Sequence, residues 1–171
     1  MSGNCSVRLH FMGANQQVTG SRYCLETDHS RVMVDCGMFQ ERQFTSRNWR
    51  RCPMAAEALH ALLLTHAHID HCGLIPRLVR DGFRSPIYTT AATADLLEVM
   101  LRDAAHIQAE DLEYKRKRHK KEGRLTQYAL EPLFDDHDVD RTLPLVQPVQ
   151  YERPVSITED VTVTFREAGH I

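Results

Sequence analysis

Apolar residues in this chain gather in short runs broken by turn-forming residues, a pattern of strands with helices between some of them. Val7 to Met12 and Tyr23 to Thr27 are two such runs, separated by Gly13-Ala14-Asn15 and Thr19-Gly20-Ser21. Asp28-His29-Ser30 turns the chain into a third, Arg31 to Asp35. Three strands this close leave no room for helices, which predicts an antiparallel meander. Residues 39–57 show no clean period and carry Trp49 among four arginines. They read as a long loop with at most a helical turn, in which Trp49 either stacks on a base or pins the loop to the core.

Ala61-Leu62-Leu63-Leu64 is apolar throughout, as a buried strand requires. Gly73 to Arg80 reads as a helix with Pro76 in its first turn, where a missing N–H is harmless, and its N-terminus predicts backbone donors around Cys72 and Gly73 facing a phosphate. Cys72 itself reads as a small packed thiol. Pro86 to Thr89 is a short strand, followed by a helix that Thr90 or Thr93 can cap. Leu97, Met100, Leu101, Ala104 and Ile107 recur at helical spacing as one core-facing stripe. The polar continuation pairs Asp111 with Lys115 and Glu113 with Lys117, and Gly123 is the expected helix end. Asp138, Val139 and Leu143 fit a short helix, and Val146 to Tyr151, Val155 to Ile157 and Val161 to Phe165 fit strands.

The chemistry concentrates where the strand at 61–64 stops, in Thr65-His66-Ala67-His68-Ile69-Asp70-His71. Imidazole and carboxylate suit a borderline cation such as zinc, and three protein ligands plus water characterise open, catalytic sites. In extended backbone His66 and His68 point the same way and can reach one ion, while Asp70 and His71 fall beyond the bend and can reach a second.

With 171 residues, 42% of them hydrophobic, the chain can bury the core of one compact domain. A net charge of −2 excludes a globally basic nucleic-acid coat, so RNA contact must come from local patches. Lys115, Arg116, Lys117, Arg118, Lys120 and Lys121 form one such patch, which reads equally well as a solvated helix end whose cations complement the macrodipole. Five cysteines without a C-x-x-C pair argue against a disulfide framework and against a zinc finger. No run is long and apolar enough to span a bilayer and the N-terminus has no apolar leader core, so a soluble, cytoplasmic protein is expected.

HAHIDH after LLLT resembles the signature of the metallo-β-lactamase fold. GANQQVTGSRYCLET at 13–27, VMVDCGMFQ at 32–40, the stretch 73–111 and VTVTFREAGHI at 161–171 narrow the resemblance to the β-CASP branch of RNA nucleases. The resemblance implies an α/β fold, the αββα sandwich of that superfamily, of which residues 1–171 are the first, N-terminal half, truncated before the β-CASP cap. It implies that His170 joins His66 and His68 on a first zinc ion, that Asp70 and His71 hold a second, and that Asp35 supports the site by orienting a ligating imidazole. Asp35 reads otherwise as a turn-forming residue before Gly37. The reaction implied is metal-dependent hydrolysis of RNA phosphodiester bonds leaving a 5′-phosphate. Further ligands of the family pattern are not among these residues, so the 171-residue chain alone is expected to be inactive, with oligomerisation open for a longer form. Two alternatives stand: a thioester or lactone hydrolase of the same fold, and a non-catalytic remnant or partner-binding half.

Overall fold

The computed structural model describes residues 6–122 and 131–170, so the helix end expected at Gly123 lies outside the described residues. Six strands, β1 Arg8–Phe11, β2 Tyr23–Glu26, β3 Arg31–Val34, β4 Ala61–Leu63, β5 Ile87–Thr90 and β6 Val146–Val149, form one sheet in sequential order. The first three make the antiparallel meander that their short connections dictate. From β3 onward the pairing is parallel, which demands crossovers. Residues 39–57, with 3-10 turns at Thr45–Trp49 and Ala56–Ala58, supply the first. Helices α1 Ile69–Cys72 and α2 Ile75–Arg80 supply the second, and α3 Ala91–Glu122 and α4 Asp136–Thr142 the third. Strands β7 Pro154–Ser156 and β8 Thr162–Thr164 pair separately as a hairpin.

Alternation along the strands divides the core in two. Cys24, Met33, Leu62, Leu64 and Ile87 face the helices, where Leu78 and Val79 of α2, Leu97 and Leu101 of α3, and Val139 of α4 close over them. Val32, Ala61 and Leu63 face the other way and pack against Val161 and Val163 of the hairpin. Complete burial of a leucine such as Leu62 stabilises by about 1.5–3 kcal/mol, so β4 is fixed from both sides and its C-terminal end has little freedom. On the hairpin side the cover is partial. Leu9 and Phe11 lie opposite Leu25 and Tyr23 on that same face and remain 52% and 59% exposed. Asp160, in the β7–β8 turn, ties the hairpin to the β2–β3 turn by accepting from Thr27 and Ser30.

The helices depart from expectation in three places and settle one alternative. Residues 69–72 already form a helical turn, so Cys72 N donates to His68 O at 2.9 Å and Gly73 N to Ile69 O at 2.8 Å. Those donors are consumed within the turn and face no phosphate. Of the two caps expected for α3, Thr90 is the one used, its hydroxyl accepting from Thr93 N at 3.4 Å. The buried stripe of α3 runs Thr93, Leu97, Leu101, Ala105, and Ile107 is 51% exposed because it lies about 200° round the helix from Ala105, off that face. Glu113 and Lys117 pair at 2.7 Å, whereas Asp111 and Lys115 make no pair within 4.0 Å.

Candidate metal centre

Strand β4 delivers the site. Asp35 N donates to Leu63 O at 2.9 Å, extending the β3–β4 ladder, and the chain beyond β3 then turns through Asp35 in the left-handed region, φ 57°. Residues 36–38 run alongside α1: Cys36 N donates to His71 O, Met38 N to Ile69 O, and Leu74 N to Cys36 O. Gly37 is required in this contact, because a Cβ there would lie 1.5 Å from the Asp70 carbonyl oxygen. Ser21 N donates to the same carbonyl at 2.9 Å. The backbone of the ligand loop is therefore held on three sides before any side chain is considered.

Three imidazoles converge. One ring nitrogen from each of His66, His68 and His170 lies within 4.8 Å of the others. His66 and His68 come from the loop after β4, and His170 from the segment after β8, on the far layer. His66 Nε2 and His68 Nδ1 stand 3.0 Å apart, a separation at which two lone pairs repel unless a proton or cation lies between them. Tetrahedral nitrogen ligands at about 2.0–2.1 Å from zinc lie about 3.3 Å from one another, so the donor set fits a metal ion with small side-chain adjustments. Asp70 and His71 stand beside this group. His71 Nε2 is 3.6 Å from Asp70 Oδ2, and its ring centroid is 4.0 Å from that of His66.

The hydrogen-bond network sets the tautomers. Asp35 is 2% exposed and accepts from Thr65 N and His71 Nδ1, at 2.9 and 2.8 Å. An ionised carboxylate only accepts, so the Thr65 hydroxyl donates to it and is left to accept from His66 Nδ1 at 2.9 Å. Both His66 and His71 thus carry their proton on Nδ1 and present the Nε2 lone pair. Burial works against the His71 imidazolium, but the hydrogen bond and charge of Asp35, with the charge of Asp70, outweigh it and raise its pKa. Burial, then repulsion from His71 and His68, lowers that of His66. Burial pushes the Cys72 thiol up to about 12, and its Sγ donates to Ala67 O at 3.3 Å. It is a packed core group.

Beside His66 and His170 a cavity of about 320 Å³ opens between the sheet and the hairpin, walled by Val34, Leu63, Val163 and Phe165. The basic run is elsewhere. Lys115 to Lys121 occupy the last turns of α3, with Lys117 paired to Glu113 and Arg118 to Glu122, and begin about 36 Å along the helix axis from Ala91 at about 1.5 Å per residue. Trp49 is 53% exposed and does not pin its loop. That is done by buried Asn48, whose amide accepts from Phe39 N and donates to Phe39 O. Thr65 and Asn48 were not singled out in the sequence. The signal for Thr65 is its place between the strand and the first histidine; a lone asparagine in a polar loop gives none.

A model of the metallo-beta-lactamase superfamily domain matches residues 24–171. Ribonuclease TTHA0252 of Thermus thermophilus is 33% identical over 165 residues, covering 96% of this chain and 33% of that protein. Transcription termination factor FttA of Methanocaldococcus jannaschii is 29% identical over 172 residues, covering 99% of this chain and 24% of that protein. This chain therefore spans about a third and about a quarter of their lengths. Among solved structures, MEM-A1, a subclass B3 metallo-beta-lactamase from a soil metagenome library, superposes with a TM-score of 0.52 at 15% identity, covering 92% of this chain and 48% of that one. That likeness concerns the fold alone.

Proposed function

Because this chain belongs to the metallo-beta-lactamase superfamily, we propose that it forms part of a β-CASP-type ribonuclease, a zinc-dependent hydrolase of RNA phosphodiester bonds. The observation that carries the reading is the convergence of His66, His68 and His170 from two layers of the fold, beside Asp70 and His71. RNA is favoured over other substrates of the fold by the names of the similar proteins, a ribonuclease and a transcription termination factor. A metal site follows from the family and the donor set; zinc, and two ions rather than one, are part of the proposal.

In this reading His66, His68 and His170 hold one ion, and Asp70 and His71 hold the second. Bound there, such ions would supply Lewis acidity toward a phosphodiester and lower the pKa of bound water to about 7. The chain's own residues prepare that chemistry. Asp35 keeps a proton on His71 Nδ1, and Thr65 keeps one on His66 Nδ1, so that each ring faces the site with its Nε2 lone pair. Gly37 lets the Asp70 carbonyl approach closely enough for this geometry. Apolar side chains of the adjoining cavity, Val34, Leu63, Val163 and Phe165, flank the His66 and His170 side. Asp70 and His71 belong to no group of three candidate donors among the described residues, so these 171 residues alone should hold a second ion loosely and cleave RNA poorly.

The test is hydrolysis of single-stranded RNA, beside a thioester and a lactone, by this chain and by any longer product of its gene. Zinc content is measured in parallel. Zinc bound by the parent and lost in His68→Ala, with chelator-sensitive RNA cleavage by a longer product, is expected. Thioester or lactone turnover with no RNA cleavage would overturn the reading.

A further inference from the structure

Away from the imidazole cluster, the loop at 39–57 and the start of β2 enclose a cavity of about 230 Å³ lined by Arg22, Arg47, Arg50 and Arg51, with Met12 and Phe39 among its apolar walls. No carboxylate lines it. Arg22 and Arg50 also line a narrower adjoining cleft with Arg77, where Asp81 is the single carboxylate. Among the described residues none of these five arginines makes an ion pair within 4.0 Å.

Arg22 is the informative member. It is 5% exposed and its Nε has no hydrogen-bond partner. The groups against it are the thiols of Cys36 and Cys52. Burial pushes the Cys36 thiol up to about 11, so it is neutral at pH 7 and offers no counter-charge. A buried guanidinium without an anion is costly, and this one is aimed at a cavity instead of a carboxylate. Arg47 is held in place by its stack on Phe44, 4.4 Å from the ring centroid, and by Gln17, whose Oε1 accepts from Nη1 at 3.4 Å. Asn48 clamps the backbone between them and the next two arginines, and Arg50 N donates to Arg47 O at 3.1 Å. Arg50 and Arg51 reach in from the exposed side.

We propose that this pocket is a phosphate-binding site, with Arg22 as its floor, Arg47 as a fixed wall, and Arg50 and Arg51 closing over the phosphate group from solvent. Four guanidinium forks present more donors than the two oxygens of a carboxylate can accept, whereas a phosphate offers more oxygens and more charge. The group belongs either to a nucleic-acid strand or to a small phosphorylated ligand. The site shares no residue with the imidazole cluster and stands whether or not the chain contributes to an RNA hydrolase.

Trp49, the single tryptophan, does not line the pocket but immediately precedes Arg50 in the same turn, so its fluorescence serves as a neighbouring probe. At constant ionic strength, inorganic phosphate should change its emission saturably while chloride does not. The double variant Arg50→Gln, Arg51→Gln should weaken that binding at least about tenfold, and the exposed control Arg153→Gln should not. A second readout needs no variant: phosphate should protect Arg50 and Arg51 of the parent from phenylglyoxal, followed by peptide mass spectrometry. A 5′-phosphorylated single-stranded oligonucleotide that binds more tightly, and is displaced by phosphate, identifies the strand as the source. Phosphate binding indifferent to the oligonucleotide identifies a small ligand. Equal responses to phosphate and chloride, unaltered binding by the double variant, or equal modification with and without phosphate would each overturn the proposal.

Discussion

Replacing Asp35 by Asn separates the charge of this residue from its shape. Asparagine tolerates the left-handed backbone at φ 57°, so the turn after β3 survives. Its orientation is dictated. The Thr65 N–H, 2.9 Å from Oδ1, cannot face an amide NH₂, so the amide oxygen stays with Thr65 and the NH₂ replaces the oxygen 2.8 Å from His71 Nδ1. His71 must then accept at Nδ1 and carry its proton on Nε2, the nitrogen that faces Asp70. A hydrogen bond to a charged group contributes about 1.5–3 kcal/mol, and losing such support for a ligand weakens metal binding about 10- to 100-fold. The pKa of His71 moves too. Burial alone lowers it, and the Asp35 interactions that raise it above 6.5 are lost, so the variant's imidazole should titrate lower than the parent's. In the parent the stability this contact gives is full below the unfolded pKa near 6.5 and is lost as pH rises through the raised folded value. Long-range ¹H–¹⁵N correlation spectra of the metal-free histidines read tautomer and titration directly, and competition with a chromophoric chelator reads zinc affinity. A variant whose His71 keeps its proton on Nδ1 and titrates as in the parent would refute this account of the network.

Thr65→Val removes a hydroxyl that both donates to Asp35 and accepts from His66, and should lower stability by about 1–3 kcal/mol in urea denaturation, with Thr65→Ser restoring most of it. Gly37→Ala places a Cβ 1.5 Å from the Asp70 carbonyl oxygen, so α1 must shift; zinc bound per chain should fall while far-UV circular dichroism keeps the sheet signal. Asp160 is held down to about 2 by accepting from Ser30 and Thr27, and its contribution is present above the unfolded value of 3.8 and lost as pH falls through about 2. Hydrogen exchange at β7 and β8 should therefore accelerate in that window, and Asp160→Asn should remove the pH dependence.

The meander of the first three strands was legible because their short connections leave no room for helices, and the fully apolar run at 61–64 marked the strand buried on both faces, whereas the parallel order from β3 to β6 was not read from the sequence. His66, His68, Asp70 and His71 stood out as candidates because their donor types crowd one loop, and the structure brings His66 and His68 together with His170. What stayed hidden depends on partners distant in sequence. Thr65 matters only because Asp35, thirty positions earlier, forces its hydroxyl to donate. Ile107 fits the helical period and is exposed, since the face that is buried follows Thr93, Leu97, Leu101 and Ala105 and turns away from it. Arg22 is hidden for the opposite reason: arginine is ordinarily read as surface, and nothing in its neighbours announces burial.

The site also explains why the two layers must be considered together. His66 and His68 follow a strand whose side chains are packed on both faces, so their positions are set by the sheet. His170 is exposed and follows a hairpin held to that sheet by Val161, Val163 and the acceptors of Asp160. An ion bound by all three imidazoles joins the rigid layer to the more loosely attached one. Part of its binding free energy is then spent on fixing the hairpin, and whatever strengthens the hairpin's attachment strengthens the site. Leu9 and Phe11, exposed on that same face beyond the hairpin's cover, show that apolar contact does not run the full width of the sheet. The affinity of the imidazole cluster is accordingly a property of how well this face is covered, as much as of the ligands themselves.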